Sequence, residues 1–229
     1  MHVVGLDLSI NSPALCVSDN FETFDFVGIV NNPRISGVNL GYLLSEPGKY
    51  DGVYVTDISE PRVADKVYHV NERKKLCNFH RITSTIVSEI LKRTGGGNVL
   101  VAMEGISYGS KGSSLLDLCM LTGMVRRAVL TELLGNNSNK LFVFAPSELK
   151  NAIGLKGHAS KTEILAQFID EPGIPAAAES GMHKFITDSV IGSHKSAYVY
   201  NENKDEICSP FNDMIDAYLS VLKLSEGAR

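Results

Sequence analysis

Apolar residues in the first 60 positions come in short runs separated by turn-forming residues, a pattern typical of β-strands. Such runs occupy 2–9, 14–17, 24–30 and 52–56. Asn11, Ser12 and Pro13 separate the first two runs, so we expect these two to form a hairpin. A short helical stretch is expected at 40–45, between the last two runs.

The hydrophobic spacing changes to a helical period in the middle of the chain. Residues 65–92 contain no Gly or Pro and place apolar side chains three or four apart, which predicts a long helix. Three glycines at 95–97 end it; no Gly-Lys-Ser/Thr follows them, so we interpret them as a tight turn rather than a phosphate-binding loop. A buried strand at 98–105 comes next, and its last side chain before the glycine is an acid, Glu104.

Helices and strands alternate through the second half of the chain. After a Gly/Ser-rich loop, the pattern predicts helices at 115–134, 147–153 and 160–168, and a strand at 141–144. The first of these helices has Gly123 in its middle, where glycine costs about 1 kcal/mol relative to alanine. Close approach of another backbone, from this chain or from a second copy, would explain that glycine.

The segment 169–210 has the weakest pattern in the chain. Proline and glycine interrupt it repeatedly, and it offers only a weak strand at 197–200. Loops this long inside a compact domain are uncommon, so we interpret it as an insertion within one domain that spans 1–229. The chain ends in an apolar helix that begins at Phe211.

Acidic residues mark three of these predicted elements. Asp7 lies inside the first strand, and a buried carboxylate is costly unless it is paired or binds a cation. Asp213 and Asp216 lie three apart on the last helix, so their carboxylates project from neighbouring positions on it. The alternatives are a hydrogen bond from the turn amides to Asp7, a helix-dipole role for Asp213 and a solvated Asp216.

With Glu104 at the end of a later strand, these features give four carboxylates in chain order. A sheet with helices packed on it can bring them together around one or two divalent cations, because Mg²⁺ prefers oxygen ligands. Without a cation, burying so many carboxylates would be very costly. Two metal ions in such a site activate water and stabilise the leaving oxygen of a phosphodiester.

Composition indicates an ordinary globular protein. The chain has 229 residues, 44% of them hydrophobic, which suits a single core. Its four cysteines lie far apart with no Cys-x-x-Cys pair, which favours reduced thiols over a disulfide framework or a zinc site. We find no signal-peptide pattern at the start and no apolar run of membrane-spanning length, so we expect a cytoplasmic protein with no membrane partner.

The formal net charge of −4 argues mildly against a nucleic-acid partner. Its distribution weakens that argument, because the segment 105–165 carries seven basic and four acidic residues. Several of the basic residues lie in or beside the turn at 154–161, which leads into a predicted helix. This middle part of the chain is therefore suited to a phosphate-rich partner.

The chain resembles the RuvC family of Holliday-junction resolvases, within the ribonuclease H-like superfamily, in four stretches: 4–9, 101–105, 146–161 and 213–217. The resemblance is strongest in the lysine-bearing turn. It implies an α/β fold with a mixed five-stranded sheet flanked by helices. It also implies a homodimer formed through the helix 115–134, and Mg²⁺- or Mn²⁺-dependent symmetrical nicking of two strands at a four-way DNA junction.

Residue by residue, the resemblance assigns metal binding to the four acids: Asp7, Glu104, Asp213 and Asp216. Lys161 matches a lysine that faces DNA near the scissile phosphate, where it would stabilise developing negative charge. Lys150 matches a second such lysine. We expect further DNA contacts from residues of the two loops beside the site: Tyr108, Lys111, Lys156 and His158.

The chain departs from the family pattern in two places. Where the family commonly has an aromatic wedge after the strand-end glutamate, this chain has Ser107, with Tyr108 one residue on. Tyr108 is then either a stacking residue at an opened junction, worth about 1–3 kcal/mol, or an ordinary loop tyrosine. The segment 167–210 is longer than usual, a variation typical of viral and phage members, which would work in the host-cell cytoplasm.

Three other functions fit parts of the sequence. A nuclease of the same superfamily acting on RNA–DNA hybrids, flaps or forks would use the same acids. An actin-like or sugar-kinase-like ATP-binding protein shares the Gly-Leu-Asp-Leu-Ser start, but the chain is short for that two-domain fold and has no second glycine-rich phosphate loop. A non-catalytic junction-binding scaffold is the third, and the complete set of four acids argues against it.

Overall fold

A mixed six-stranded sheet forms the centre of the computed structural model, which describes residues 1–34, 49–60, 65–106, 112–190, 199–201 and 206–228. Its strands are β1 (His2–Asp7), β2 (Ala14–Asp19), β3 (Thr23–Val30), β4 (Val53–Asp57), β5 (Val99–Glu104) and β6 (Leu141–Phe144). The spatial order is β4-β3-β2-β1-β5-β6. A separate two-stranded ribbon consists of β7 (Tyr200–Asn201) and β8 (Glu206–Ile207).

The strand directions confirm the predicted α/β fold class and the predicted hairpin. β1, β2 and β3 are antiparallel neighbours, whereas β5 and β6 run parallel to β1. The family resemblance implied five strands, and the described sheet has six. The sixth strand follows from local sequence: Val53–Asp57 is the strand-like run predicted at 52–56, and it pairs in parallel with β3 at the edge of the sheet.

Seven α-helices flank the sheet in the described part of the chain: α1 (Tyr68–Thr94), α2 (Ser113–Ala128), α3 (Pro146–Ala152), α4 (Lys161–Asp170), α5 (Pro175–Ala178), α6 (Gly181–Val190) and α7 (Phe211–Ala228). The helix predicted at 115–134 is α2 followed by a π-helical turn, Val129–Leu133. The helix expected at 40–45 falls outside the described residues. None of the helices described has the length and apolar character that a membrane span requires.

The two faces of the sheet bury different side chains, because successive residues of a strand point to opposite sides. On one face, Val4, Leu6 and other apolar residues pack with α1 and α2. On the other face, Val3, Cys16 and Phe26 pack against α7 and the smaller helices α3 to α6. The acids of the predicted site belong to this second face.

The segment 169–210, as far as it is described (169–190, 199–201 and 206–210), packs into the α7 side of the core. It contributes α5, α6 and the β7–β8 ribbon, and its buried side chains belong to the same apolar cluster as α7: Ile174, Ala177, Met182, Phe185, Ile186, Val199 and Ile207. The buried Tyr218 hydroxyl of α7 also donates a hydrogen bond to the Pro172 carbonyl oxygen. Of the strand expected at 197–200, residues 197 and 198 lie outside the described part, and a strand begins at Tyr200.

Candidate metal centre

Two neighbouring strands bring Asp7 and Glu104 to the same edge of the sheet. β1 and β5 pair in parallel with Leu6 opposite Met103, and each acid is the next residue on its strand. Leu6 and Met103 are buried on the face that α1 and α2 cover. Because side chains alternate between faces, Asp7 and Glu104 project toward α7.

Helix α7 brings the other two acids, and glycine lets it lie close to the sheet. A Cβ atom on Gly5 would lie 2.0 Å from the Ala217 carbonyl oxygen, and one on Gly28 would lie 2.7 Å from the Met214 methyl carbon. Any larger residue at Gly5 would therefore push the helix backbone away from β1. This close packing places the first turns of α7 over the ends of β1 and β5.

The carboxylates of Asp7, Asp213 and Asp216 meet at this point. Each offers an oxygen atom, and these atoms all lie within 4.8 Å of one another. Asp213 is buried, and Asp7 and Asp216 are half-buried. Glu104 is not part of this tight group, but its negative charge contributes to raising the pKa of both Asp7 and Asp216.

Burial and mutual repulsion make the charged form of these acids unfavourable. Desolvation, followed by the charges of Asp213, Asp216 and Glu104, raises the pKa of Asp7 well above its usual value. Desolvation raises the pKa of Asp216 to about 7, with further contributions from Asp213 and Glu104. Desolvation also raises the pKa of Asp213 and that of Glu104. The cluster is therefore short of positive charge.

Lys161 supplies some of that charge from outside. Its Nζ lies 3.9 Å from Asp213 Oδ1 and 4.0 Å from Asp216 Oδ2, and 52% of its side chain is exposed. It is the first residue of α4, whose N-cap Ser160 and third residue Glu163 form a capping box. The cap fixes where the helix begins and hence where Lys161 emerges. One solvated ammonium group does not balance four carboxylates.

A divalent metal ion fits this arrangement. The donors are all carboxylate oxygens, which Mg²⁺ and Mn²⁺ accept as ligands. Asp7, Asp213 and Asp216 are spaced to share one ion, and Glu104 adds a further negative charge near them. The pKa values are raised because negative charge in a desolvated site is not compensated. A bound cation would compensate it.

The predicted DNA-contacting residues have different surroundings. The Lys150 ammonium donates a hydrogen bond to the Ala159 carbonyl oxygen at 2.6 Å. This bond stabilises the lysine-bearing turn at 154–161, which we call the basic turn. The positive charge of Lys150 also partly offsets the rise in the pKa of Glu104 that desolvation causes. Lys156 and His158 are exposed on that turn. Tyr108 and Lys111, together with Ser107, lie outside the described residues.

Ser12 is a site residue that sequence reasoning missed. It belongs to the turn between β1 and β2, and its hydroxyl donates a 2.5 Å hydrogen bond to Asp213 Oδ2. One alternative expected from the sequence had turn amides donating to Asp7; the observed bond runs from the Ser12 hydroxyl to Asp213. Asp213 lies in the first turn of α7, as the helix-dipole alternative requires, but it is buried and hydrogen-bonded. A serine before a proline is ordinary turn chemistry, so nothing local indicates a partner 201 positions away.

No family model and no curated protein sequence matches the chain. The solved structures that are similar to it include the following three. The Thermus thermophilus RuvC structure is 15% identical with a TM-score of 0.49, and the match covers 99% of this chain and 97% of that one. T. thermophilus RuvC in complex with Holliday junction substrate is 17% identical with a TM-score of 0.44, over 100% and 95% of the two chains. The yeast mitochondrial Holliday junction resolvase Ydc2 is 12% identical with a TM-score of 0.39, over 96% and 76%.

Proposed function

We propose that this protein is a divalent-metal-dependent endodeoxyribonuclease that resolves four-way DNA junctions by paired, symmetrical nicks. The observation that carries the proposal is the carboxylate group of Asp7, Asp213 and Asp216, whose oxygen atoms lie within 4.8 Å of one another beside Glu104. The choice of a branched DNA substrate follows from the sequence resemblance to RuvC resolvases, above all in the lysine-bearing turn.

In this proposal Asp7, Glu104, Asp213 and Asp216 hold two Mg²⁺ or Mn²⁺ ions. When bound, the ions activate a water molecule for attack on the phosphodiester and stabilise the leaving oxygen. The acids themselves must be deprotonated to bind, and their raised pKa values oppose this in the metal-free protein. Metal binding and loss of protons from the four carboxylates are therefore coupled.

Lys161 has the role of neutralising charge on the phosphate. Its ammonium group lies close to Asp213 and Asp216 yet remains half-exposed, so a phosphate oxygen can reach it from solvent. A point charge in this position stabilises negative charge that develops on the phosphate oxygens. Lys156 and His158 on the exposed turn contact the DNA backbone further out. Lys111 is proposed as a further DNA contact and Tyr108 as a residue that stacks on an opened base; both lie outside the described residues.

A homodimer would supply the second nick, and one face of α2 suits the interface. Leu116 and Met120 are 66% and 43% exposed, and Gly123 continues the same helix face. A Cβ atom on Gly123 would meet nothing within 4 Å in the described structure, so contacts among the described residues provide no reason for the glycine. Close contact with the same helix of a second copy would explain both the glycine and the exposed apolar side chains.

The test is cleavage of a synthetic mobile four-way junction by the parent protein and by Asp213→Asn, with Mg²⁺ and then Mn²⁺. We expect paired nicks at symmetrical positions with the parent, and bound but uncut junction with the variant. Asp170→Asn is a matched control, because Asp170 is an exposed acid at the end of the helix that carries Lys161. It should cut like the parent.

Two results would overturn the proposal in different ways. If the parent cuts only flaps, forks or RNA–DNA hybrids, the metal-dependent nuclease is retained and junction resolution is excluded. If it leaves every branched, hybrid and single-stranded substrate intact with either metal, the nuclease itself is excluded. Cutting by Asp213→Asn at the parental rate would remove that residue from the site.

A further inference from the structure

The turn between β1 and β2 is held in place from β3. The backbone amide of Asn31 donates to the Asn11 carbonyl oxygen at 2.8 Å, and its side-chain amide donates to the Ile10 carbonyl oxygen at 2.8 Å. The Ile29 amide donates to the Pro13 carbonyl oxygen, also at 2.8 Å. Asn31 itself is only 2% exposed. These bonds fix the backbone on both sides of Ser12.

Within the turn, a second serine orients Ser12. The Ser12 amide donates to Ser9 Oγ at 2.8 Å, and the two hydroxyl oxygens lie 3.4 Å apart. The Ser12 hydroxyl then donates to Asp213 Oδ2 at 2.5 Å. Both residues are buried, so water competes little for this bond. The turn that follows Asp7 therefore contacts a second acid of the same site.

The two oxygen atoms of Asp213 have different surroundings. Oδ2 accepts the Ser12 hydroxyl, whereas Oδ1 is the atom nearest to the Lys161 ammonium, at 3.9 Å. A hydrogen bond to one oxygen restricts rotation of the carboxylate, so Oδ1 is held on the side of Lys161. Groups that hydrogen-bond to metal-binding carboxylates commonly set their orientation in this way.

We propose that Ser12 is a positioning residue of the metal centre, which acts by holding the Asp213 carboxylate in the orientation that binds the metal. This inference rests on the metal site of the proposed function, but it does not depend on the DNA substrate. The β1–β2 segment then has two roles: it carries one ligand, Asp7, and it orients another on a helix 201 residues away from Ser12.

The test is Mn²⁺ binding to the DNA-free protein, measured by electron paramagnetic resonance or calorimetry. We expect Ser12→Ala to bind Mn²⁺ at least about tenfold more weakly than the parent, the range seen when such supporting groups are removed. Ser12→Thr keeps the hydroxyl and should recover most of the affinity. Ser18→Ala is the matched control: Ser18 is a buried serine of β2 that donates to the Thr23 carbonyl oxygen at 2.7 Å, away from the acids.

Parental affinity in a folded Ser12→Ala variant would overturn the inference, and so would an equal loss in Ser18→Ala. If Ser12→Ala does not fold, Ser12→Cys replaces it, since a thiol has nearly the same size but is a weak donor; parental affinity there would again overturn it. A parent that binds Mn²⁺ in a Ser12-dependent way but cuts no DNA supports the inference and excludes the proposed function. A parent that binds no Mn²⁺ overturns both.

Discussion

Two clusters of partly buried charge in this protein differ in their balance. In the first, Arg93 near the end of α1 contacts the Glu89 carboxylate, lies 3.5 Å from Asp25 Oδ2 and sits 4.4 Å over the Tyr54 ring. The arginine side chain is only 6% exposed. This cluster, which we call the Arg93 cluster, surrounds its cation with groups that stabilise it.

The metal centre has the opposite composition. Three carboxylates meet near Glu104, and Lys161, which lies about 4 Å from two of them, is 52% exposed. Burial raises the pKa of Asp25 as well, but the adjacent Arg93 lowers it, whereas Asp216 reaches about 7. In the Arg93 cluster the protein thus buries its own cation, and the resulting ion pairs hold helix α1 to the sheet. At the candidate metal centre the negative charge is not fully compensated by the protein, which is what a binding site for an exchangeable cation requires.

The largest expected effect is on catalysis. Asp7→Asn, Asp216→Asn and Glu104→Gln should each lower metal-dependent cleavage by at least about 100-fold, because each removes charge that holds the ions. The same neutral change in the Arg93 cluster, Glu89→Gln, should leave cleavage per folded molecule unchanged. Single-turnover rates on a four-way junction measure this. A Glu104→Gln variant with the parental rate would place Glu104 outside the site.

The next effect is a pH dependence of stability that should be larger at the candidate metal centre than at the Arg93 cluster. The pKa of Asp216 is about 7 in the folded protein against 3.8 for an isolated side chain, so the folded state binds more protons between these values. The stabilisation that comes from this excess proton binding is therefore fully present below about pH 4 and is lost as the pH rises through 7. The free energy of unfolding should fall by as much as about 4 kcal/mol over this range. Added Mn²⁺ should oppose the loss more at pH 8 than at pH 5.

Urea unfolding of the metal-free parent and of Asp216→Asn, at intervals from pH 4 to 8, isolates this contribution. The difference between the two free energies of unfolding should change steadily in favour of the variant as the pH rises. Asp170→Asn, which alters an exposed acid, should follow the parent. A constant difference between parent and Asp216→Asn would mean that this carboxylate is not desolvated and repelled in the folded protein.

Removing the cation from the Arg93 cluster should affect stability instead of catalysis. Arg93→Met leaves Asp25 and Glu89 without their cation, and breaking this partly buried ion pair should cost at most about 3 kcal/mol. Urea unfolding should show this loss, while cleavage at a temperature where the variant is folded should match the parent. Loss of cleavage in the folded variant would mean that the two clusters are coupled through the sheet.

The acids of the candidate site could be predicted from the sequence because local rules place them. An acid that ends a buried strand faces the edge of the sheet, and two acids three apart share a helix face. A sheet with helices packed on it can then bring the acids together, and Asp7, Asp213 and Asp216 do lie together in the structure. These rules could not show that Glu104 stands slightly apart, because that depends on how α7 crosses the strand ends.

The features that the sequence analysis missed are contacts between distant segments. Gly5 appears as an ordinary strand glycine, and only the path of α7 shows that its missing side chain makes room for the Ala217 carbonyl. Lys150 has the sequence context of a DNA-contacting lysine, and nothing in that context shows that it also donates a hydrogen bond to the Ala159 carbonyl oxygen. The segment 169–210 has weak periodicity because its short helices bury their apolar side chains against the α7 side of the core.

The smallest expected effect concerns a charge that belongs to neither cluster. Lys156 is exposed on the basic turn, so a phosphate contact there would be screened by salt. Lys156→Ala should weaken junction binding by less than about tenfold and reduce the slope of log affinity against log salt by about 1. Lys150→Ala should weaken binding through loss of the turn's geometry as well. Fluorescence anisotropy over a salt series with Ca²⁺ in place of Mg²⁺ compares the two; an unchanged slope in Lys156→Ala would remove that lysine from the DNA-binding surface.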